Sequence, residues 1–80
     1  MNKKNKKNKR KKSEIQAIIF HKKKYSQMDA LRWLLIHNFK PIKPVDITKN
    51  FYRYRINPPR RGVEFRMIKF GNGIQAIIQF

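Results

Sequence analysis

The spacing of apolar and polar positions changes period twice along the chain. Ile15-Gln16-Ala17-Ile18-Ile19-Phe20 is a short β-branched run and reads as a strand. With period 2, Ile15, Ala17 and Ile19 share one face, and Gln16, Ile18 and Phe20 the other. His21-Lys22-Lys23-Lys24 then interrupts with charge. Ser26 fits a helix N-cap, with Asp29 three residues on as a variant of the capping box. Gln27 to His37 follows helical spacing. Met28, Ala30, Leu31, Leu34 and Leu35 form one stripe, flanked by Trp33 and Ile36. Asn38 suits a left-handed stop, and Pro41 lies just beyond it.

The second half returns to period 2. Pro41 to Thr48 holds two prolines and reads as an extended connection. Asn50 to Ile56 reads as the central strand. Tyr52, Tyr54 and Ile56 point to one side, and Phe51, Arg53 and Arg55 to the other. Asn57-Pro58-Pro59-Arg60-Arg61-Gly62 must be a loop, because two prolines cannot continue a central strand. From Val63 to Phe70 alternation resumes, with Val63, Phe65 and Met67 on one face and Glu64, Arg66 and Ile68 on the other. Gly71-Asn72-Gly73 signals a tight turn, and Ile74 to Phe80 is the last strand.

This order predicts an α+β fold: a small, mostly antiparallel four-stranded sheet, β-α-β-β-β in chain order, with one helix on one face. The last three strands form a meander, and the first lies beside the last. Ile15-Gln16-Ala17-Ile18-Ile19 recurs letter for letter as Ile74-Gln75-Ala76-Ile77-Ile78. A repeat architecture would need more copies. One account gives the two strands similar positions, with Ala17 and Ala76 leaving room for the helix; the alternative is chance likeness between two Ile-rich strands.

Charge adds a second region. Residues 1–13 read as a disordered basic tail, because the first dozen hold no apolar residue after Met1. Residues 14–80 form a single small domain. The net charge is +17. Eight basic residues lie in the tail, and the other thirteen against four acids leave +9 for the body. That balance attracts polyanions, nucleic acid before a membrane surface or an acidic protein. The chain has no cysteine, which excludes disulfides and thiolate metal sites. Ile15 to Phe20 is too short for a signal core or a membrane span, and Asn2 excludes an N-terminal lipidation signal, so membrane insertion and secretion are not expected.

The expected chemistry is binding. Lys3, Lys4, Lys6, Lys7, Lys9, Arg10, Lys11 and Lys12 would neutralise phosphates with little sequence preference. Lys22, Lys23 and Lys24 add to them. Arg53, Arg55 and Arg66 can fork onto phosphates, Phe51 or Phe20 can stack on a base, and Arg60 and Arg61 can reach a backbone from a loop tip. The outer sheet face, with Gln16, Ile18, Phe20, Phe51, Arg53, Arg55, Glu64, Arg66, Ile68, Gln75, Ile77 and Gln79, is basic and half-apolar. Such faces bind single-stranded nucleic acid in several small domains. The bland alternative is that the aromatic residues are core and the arginines solvated. Catalysis is not expected: a nucleophile, a base and an orienting acid would have to come from a short list of two serines, one threonine, two histidines and four acids. Asp46 with Glu64-Phe65-Arg66 loosely suggests a metal-dependent nuclease, but the spacing is imperfect and arginine is a poor base. His21 and His37 read as surface or capping histidines, with no ligand cluster and no cofactor implied.

Four fragments together carry a resemblance: Ile15 to Phe20 with Lys22 to Tyr25, Ala30 to Leu34 with His37, Val45 to Arg55, and Gly71 to Ile78. In this order they resemble a small uncharacterised domain of proteins from large double-stranded DNA viruses and some phages. The resemblance spans residues 15–80 and implies a viral source, acting in the virion or the host-cell interior, nucleus or cytoplasm. It supports the boundary near Ser13 and implies no activity. A DNA-packaging or minor structural virion protein, whose body docks on another protein, is the alternative function. The exposed edges of so small a sheet also allow a homodimer.

Overall fold

The structure, a computed structural model, describes residues 13–80. The tail lysines and Arg10 lie outside the described residues. The fold is α+β: the described residues hold one helix and an antiparallel sheet of five strands rather than four. The elements are β1 (Glu14–His21), α1 (Gln27–Ile36), β2 (Asp46–Ile47), β3 (Phe51–Arg55), β4 (Phe65–Gly71) and β5 (Ile74–Gln79). The added strand is the two-residue β2, inside the stretch expected to be only a connection.

Across the sheet the strands run β2-β3-β1-β5-β4, and every neighbouring pair is antiparallel. The first strand does lie beside the last. The meander does not form, because β3 pairs with β1 instead of β4. The middle position therefore belongs to β1, and β3 has only the short β2 outside it. The two identical pentapeptides are direct neighbours, one in β1 and one in β5.

Local signals place the helix. The Ser26 hydroxyl accepts from the Asp29 amide at 3.1 Å, which satisfies one orphan donor of the first turn. His37 caps the other end, and Asn38 takes the left-handed conformation at φ 63°. The buried stripe is narrower and turned from the one expected. Ala30 and Leu34 are buried and Trp33 packs against the core. Met28, Leu31 and Leu35 face outward with Ile36, and Leu35 is 69% exposed. Both arcs of α1 are apolar, so the sequence alone cannot tell which one meets the sheet.

The core centres on Phe20, which is fully buried. Its ring meets those of Tyr25, Trp33 and Tyr54 edge-on, at 5.3, 5.6 and 5.8 Å between centroids, the favoured geometry for aromatic quadrupoles. Ile18, Ile74 and Ala76 complete the cluster. Burying a side chain such as Leu34 or Ile18 contributes about 1.5–3 kcal/mol.

Two β-bulges decide which residues reach this core. In β1, Ile15 pairs with Ile78 and Ala17 with Ile77, so Gln16 is an extra residue. Beyond it the alternation is inverted: Ile18 and Phe20 turn to the helix, and Ala17 and Ile19 turn away. In β4, Lys69 pairs with Gln75 and Gly71 with Ile74, so Phe70 is the extra residue. That places Phe65, Met67 and Lys69 on the face away from the helix, and Arg66 and Ile68 on the helix side. Straight period-2 reading put Ile18, Phe20, Arg66 and Ile68 on the outer face, and each is corrected by a bulge. Ala17 and Ala76 consequently lie on opposite faces, and the identical pentapeptides do not occupy equivalent positions.

Candidate nucleic-acid interface

The sheet face away from α1 follows from the strand registers. β3 contributes Phe51, Arg53 and Arg55, and β1 contributes His21, Ile19 and Ala17 opposite them. β5 adds Gln75 and Ile77, paired with Lys69 and Met67 of β4. Asp46 of β2 lies opposite Arg53. Arg53 and Arg55 thus stand on β3 and Lys69 on β4, with Ile19 and Ile77 between them, while Ala17 is fully buried. Three strand spacings, roughly 14 Å, separate Arg53 and Arg55 from Lys69.

Two hollows open along this face. One, of about 280 Å³, is lined by His21, Lys23, Lys24, Phe51, Lys69 and the turn at Gly71 to Gly73. The His21 ring meets the edge of Phe51, with centroids 5.0 Å apart. The Lys23 amide donates to Nδ1 of His21 at 3.3 Å, so a neutral His21 carries its proton on Nε2, as a donor. Gly73 adopts φ +83°, and a Cβ there would stand 2.7 Å from the Lys24 side-chain stem. Only glycine permits that contact, which pins the turn against the lysine run. The second hollow, of about 360 Å³, is lined by Lys43, Pro44, Val45, Asp46, Arg53 and Arg55. Nε of Arg55 is buried without a hydrogen-bond partner among the described residues, and buried polar groups are seldom left so.

At the far end the face is closed by the loop after β3. Gln79 is fully buried. Its Nε2 donates to Glu14 Oε2 and to the Pro58 carbonyl, both at 2.9 Å, and its Oε1 accepts from the Arg60 amide at 3.1 Å. Arg60 also pairs with Glu14, Nε to Oε2, at 3.3 Å. The bulged Gln16 carbonyl accepts from the amides of Ile56 and Asn57, and Asn57 Nδ2 donates to the Ile15 carbonyl at 2.7 Å. One bulge therefore both redirects β1 and anchors this loop.

The structure brings together some of the residues chosen from sequence and separates others. Phe51, Arg53 and Arg55 share the open face, and Lys23 and Lys24 reach its corner hollow. Lys22 instead lies over the Tyr52 ring, 5.3 Å from its centroid, and Tyr52 packs against the core. Phe20 is core and cannot stack on a base. Arg66 sits on the helix side, over the Phe80 ring at 5.2 Å. Arg60 is engaged by Glu14 and Gln79 rather than reaching out from a loop tip, whereas Arg61 is exposed. Lys43, Lys69 and His21 are the additions. Lys69 became legible only with the bulge at Phe70, and Lys43 only with β2. Asp46 and the Glu64 segment lie at opposite edges of the sheet, so the nuclease pairing has no geometry. Among the described residues no cluster of three or more His, Cys, Asp or Glu side chains could hold a metal ion, and no helix is long and apolar enough to cross a membrane. Comparison with protein families, with curated proteins and with solved structures finds no match for this chain.

Proposed function

We propose that this protein is a non-enzymatic polyanion binder whose ligand is nucleic acid. The tail draws the ligand in by neutralising phosphates, and the open sheet face orients it. A viral source belongs to the same reading and rests on the resemblance alone. One observation carries the proposal: Phe51, Arg53, Arg55, His21 and Lys69 share a face whose middle is apolar and whose corners are hollow. Cations at the margins suit phosphates, and rings beside aliphatic side chains suit unstacked bases.

The test is affinity for a single-stranded oligonucleotide across a salt series. Arg53→Ala combined with Arg55→Ala should lower the slope of log K against log salt by about 1.4 if each arginine meets one phosphate. An unchanged slope and affinity would remove the sheet face from the interface. A second reading, in which the body docks on another virion protein, is favoured by the outward stripe of Met28, Leu31, Leu35 and Ile36. It predicts a complex that survives nuclease treatment and ~1 M salt, where charge attraction is screened beyond about 3 Å.

A further inference from the structure

From the contrast between the two edges of the sheet we infer that β4 is a self-association edge: it pairs antiparallel with β4 of a second copy of this chain, about a two-fold axis at Met67. At one edge β2 is only two residues long. Beyond it the connection from Pro41 to Pro44 runs beside β3, where the Ile42 amide donates to the Arg55 carbonyl at 2.8 Å. That edge is blunted in the way sheet proteins avoid uncontrolled pairing. The other edge is the opposite case. All seven residues of β4 are exposed, its only ladder among the described residues is with β5, and each face carries apolar side chains beside one cation, Phe65 and Met67 with Lys69 on one and Ile68 with Arg66 on the other. Phe65 and Met67 are 51% and 52% exposed, and Ile68 and Phe70 are also open. An exposed, long edge strand with apolar side chains on both faces is a template for another strand.

A second copy fits this edge by its charges and its register. A two-fold axis perpendicular to the sheet keeps each residue on its own face, so Arg66 and Lys69, on opposite faces, never oppose each other. Like charges would meet only if the axis passed through Arg66 or Lys69 itself. The regular part of β4, before the bulge, is Phe65 to Lys69, and Met67 is its centre. With the axis there, Lys69 of each copy lies opposite Phe65 of the other, a cation beside an aromatic face, and Arg66 lies opposite Ile68. The blunted β2 edges limit the assembly to a closed dimer with a ten-stranded sheet. Its two open faces run on from one another, so the basic surface doubles in length.

Because the chain has no cysteine, a single introduced thiol reads the register directly. The experiment uses the full chain, freed of nucleic acid by nuclease treatment and held at ~1 M salt, where repulsion between the basic bodies is screened. Wild type should show twice the monomer mass by light scattering. Met67→Cys should cross-link to a covalent dimer under mild oxidation, since directly opposed residues stand about 5 Å apart, within disulfide reach. Lys69→Cys alone should stay uncross-linked, its two copies being four residues out of register, yet should couple to Phe65→Cys when the two variants are mixed. A monomeric wild type overturns the inference. So does Met67→Cys that cross-links no better than Lys43→Cys, or Lys69→Cys that cross-links with itself as readily as Met67→Cys. None of these readouts involves a nucleic acid, so failure here leaves the binding proposal standing, and the reverse.

Discussion

Tyr54 ties the central strands to the helix through one side chain. Its ring lies in the core against Phe20, and its hydroxyl makes one long hydrogen bond, 3.5 Å, to the Gln27 carbonyl. Burial, with the neighbouring Tyr52 as a smaller cause, raises its pKa above the ordinary tyrosine value of 10.0. The protonated form is therefore the one that suits the fold. Its contribution is fully present below about pH 10 and is lost as pH rises through the raised value. Tyr54→Phe has no proton to lose. We expect it to cost well under about 1 kcal/mol near neutrality, since the bond is long, and to keep more of its stability than wild type above pH ~10. Urea unfolding at neutral and alkaline pH measures both effects. A variant that follows wild type over the alkaline range would assign that loss of stability to other groups.

At the scale of the element, the two bulges explain what sequence could and could not reveal. Ser26, Asn38 and the Gly71 to Gly73 turn were legible because each acts on its own backbone. The helix, the strand carrying Tyr54 and the pairing of the first strand with the last followed from period and order. Gln16 and Phe70 gave no warning: an extra residue in a strand looks like any other letter, and its effect is visible only against the partner. Hence the inward positions of β1 and β4 were misassigned, Phe20 was offered as a stacking ring, and Arg66 was grouped with Arg53. The two residues of β2 were below what a pattern can mark. The apolar face of β4 read as core, because alternation reports which residues share a face and not whether anything covers them. A pair of substitutions tests the inverted parity. Ile18→Ala, at a fully buried site, should cost about 2–5 kcal/mol in urea unfolding. Ile19→Ala, on the open face, should cost clearly less. Equal costs, or the reverse order, would place the bulge elsewhere.

For the whole molecule the deciding quantity is how charge divides between tail and body. Eight of the basic residues lie in the first dozen, and the body retains +9. Phosphate neutralisation is nearly additive in the salt slope, so the two parts can be separated by measurement. Deleting residues 2–12 should remove most of the slope for a long single strand, up to about 5–6 if all eight tail cations engage phosphates. It should leave a remainder that responds to Arg53 and Arg55. A remainder of zero would make the folded body a passenger in binding, and an unchanged slope would make the tail one.

The neighbouring placement of the two identical pentapeptides has a cost in folding. β1 is translated first among these strands, and its partner β5 comes last, so the sheet closes through contacts far apart in sequence and closes slowly. Until residues 74–79 are made, the middle strand holds an open edge. What belongs on that edge is a stretch spelled like the strand itself, and every other nascent copy already carries those letters in its own β1. Cross-chain pairing of first strands is the misassembly this topology invites. Translation order and dilution, as much as the native contacts, decide how many chains reach the fold.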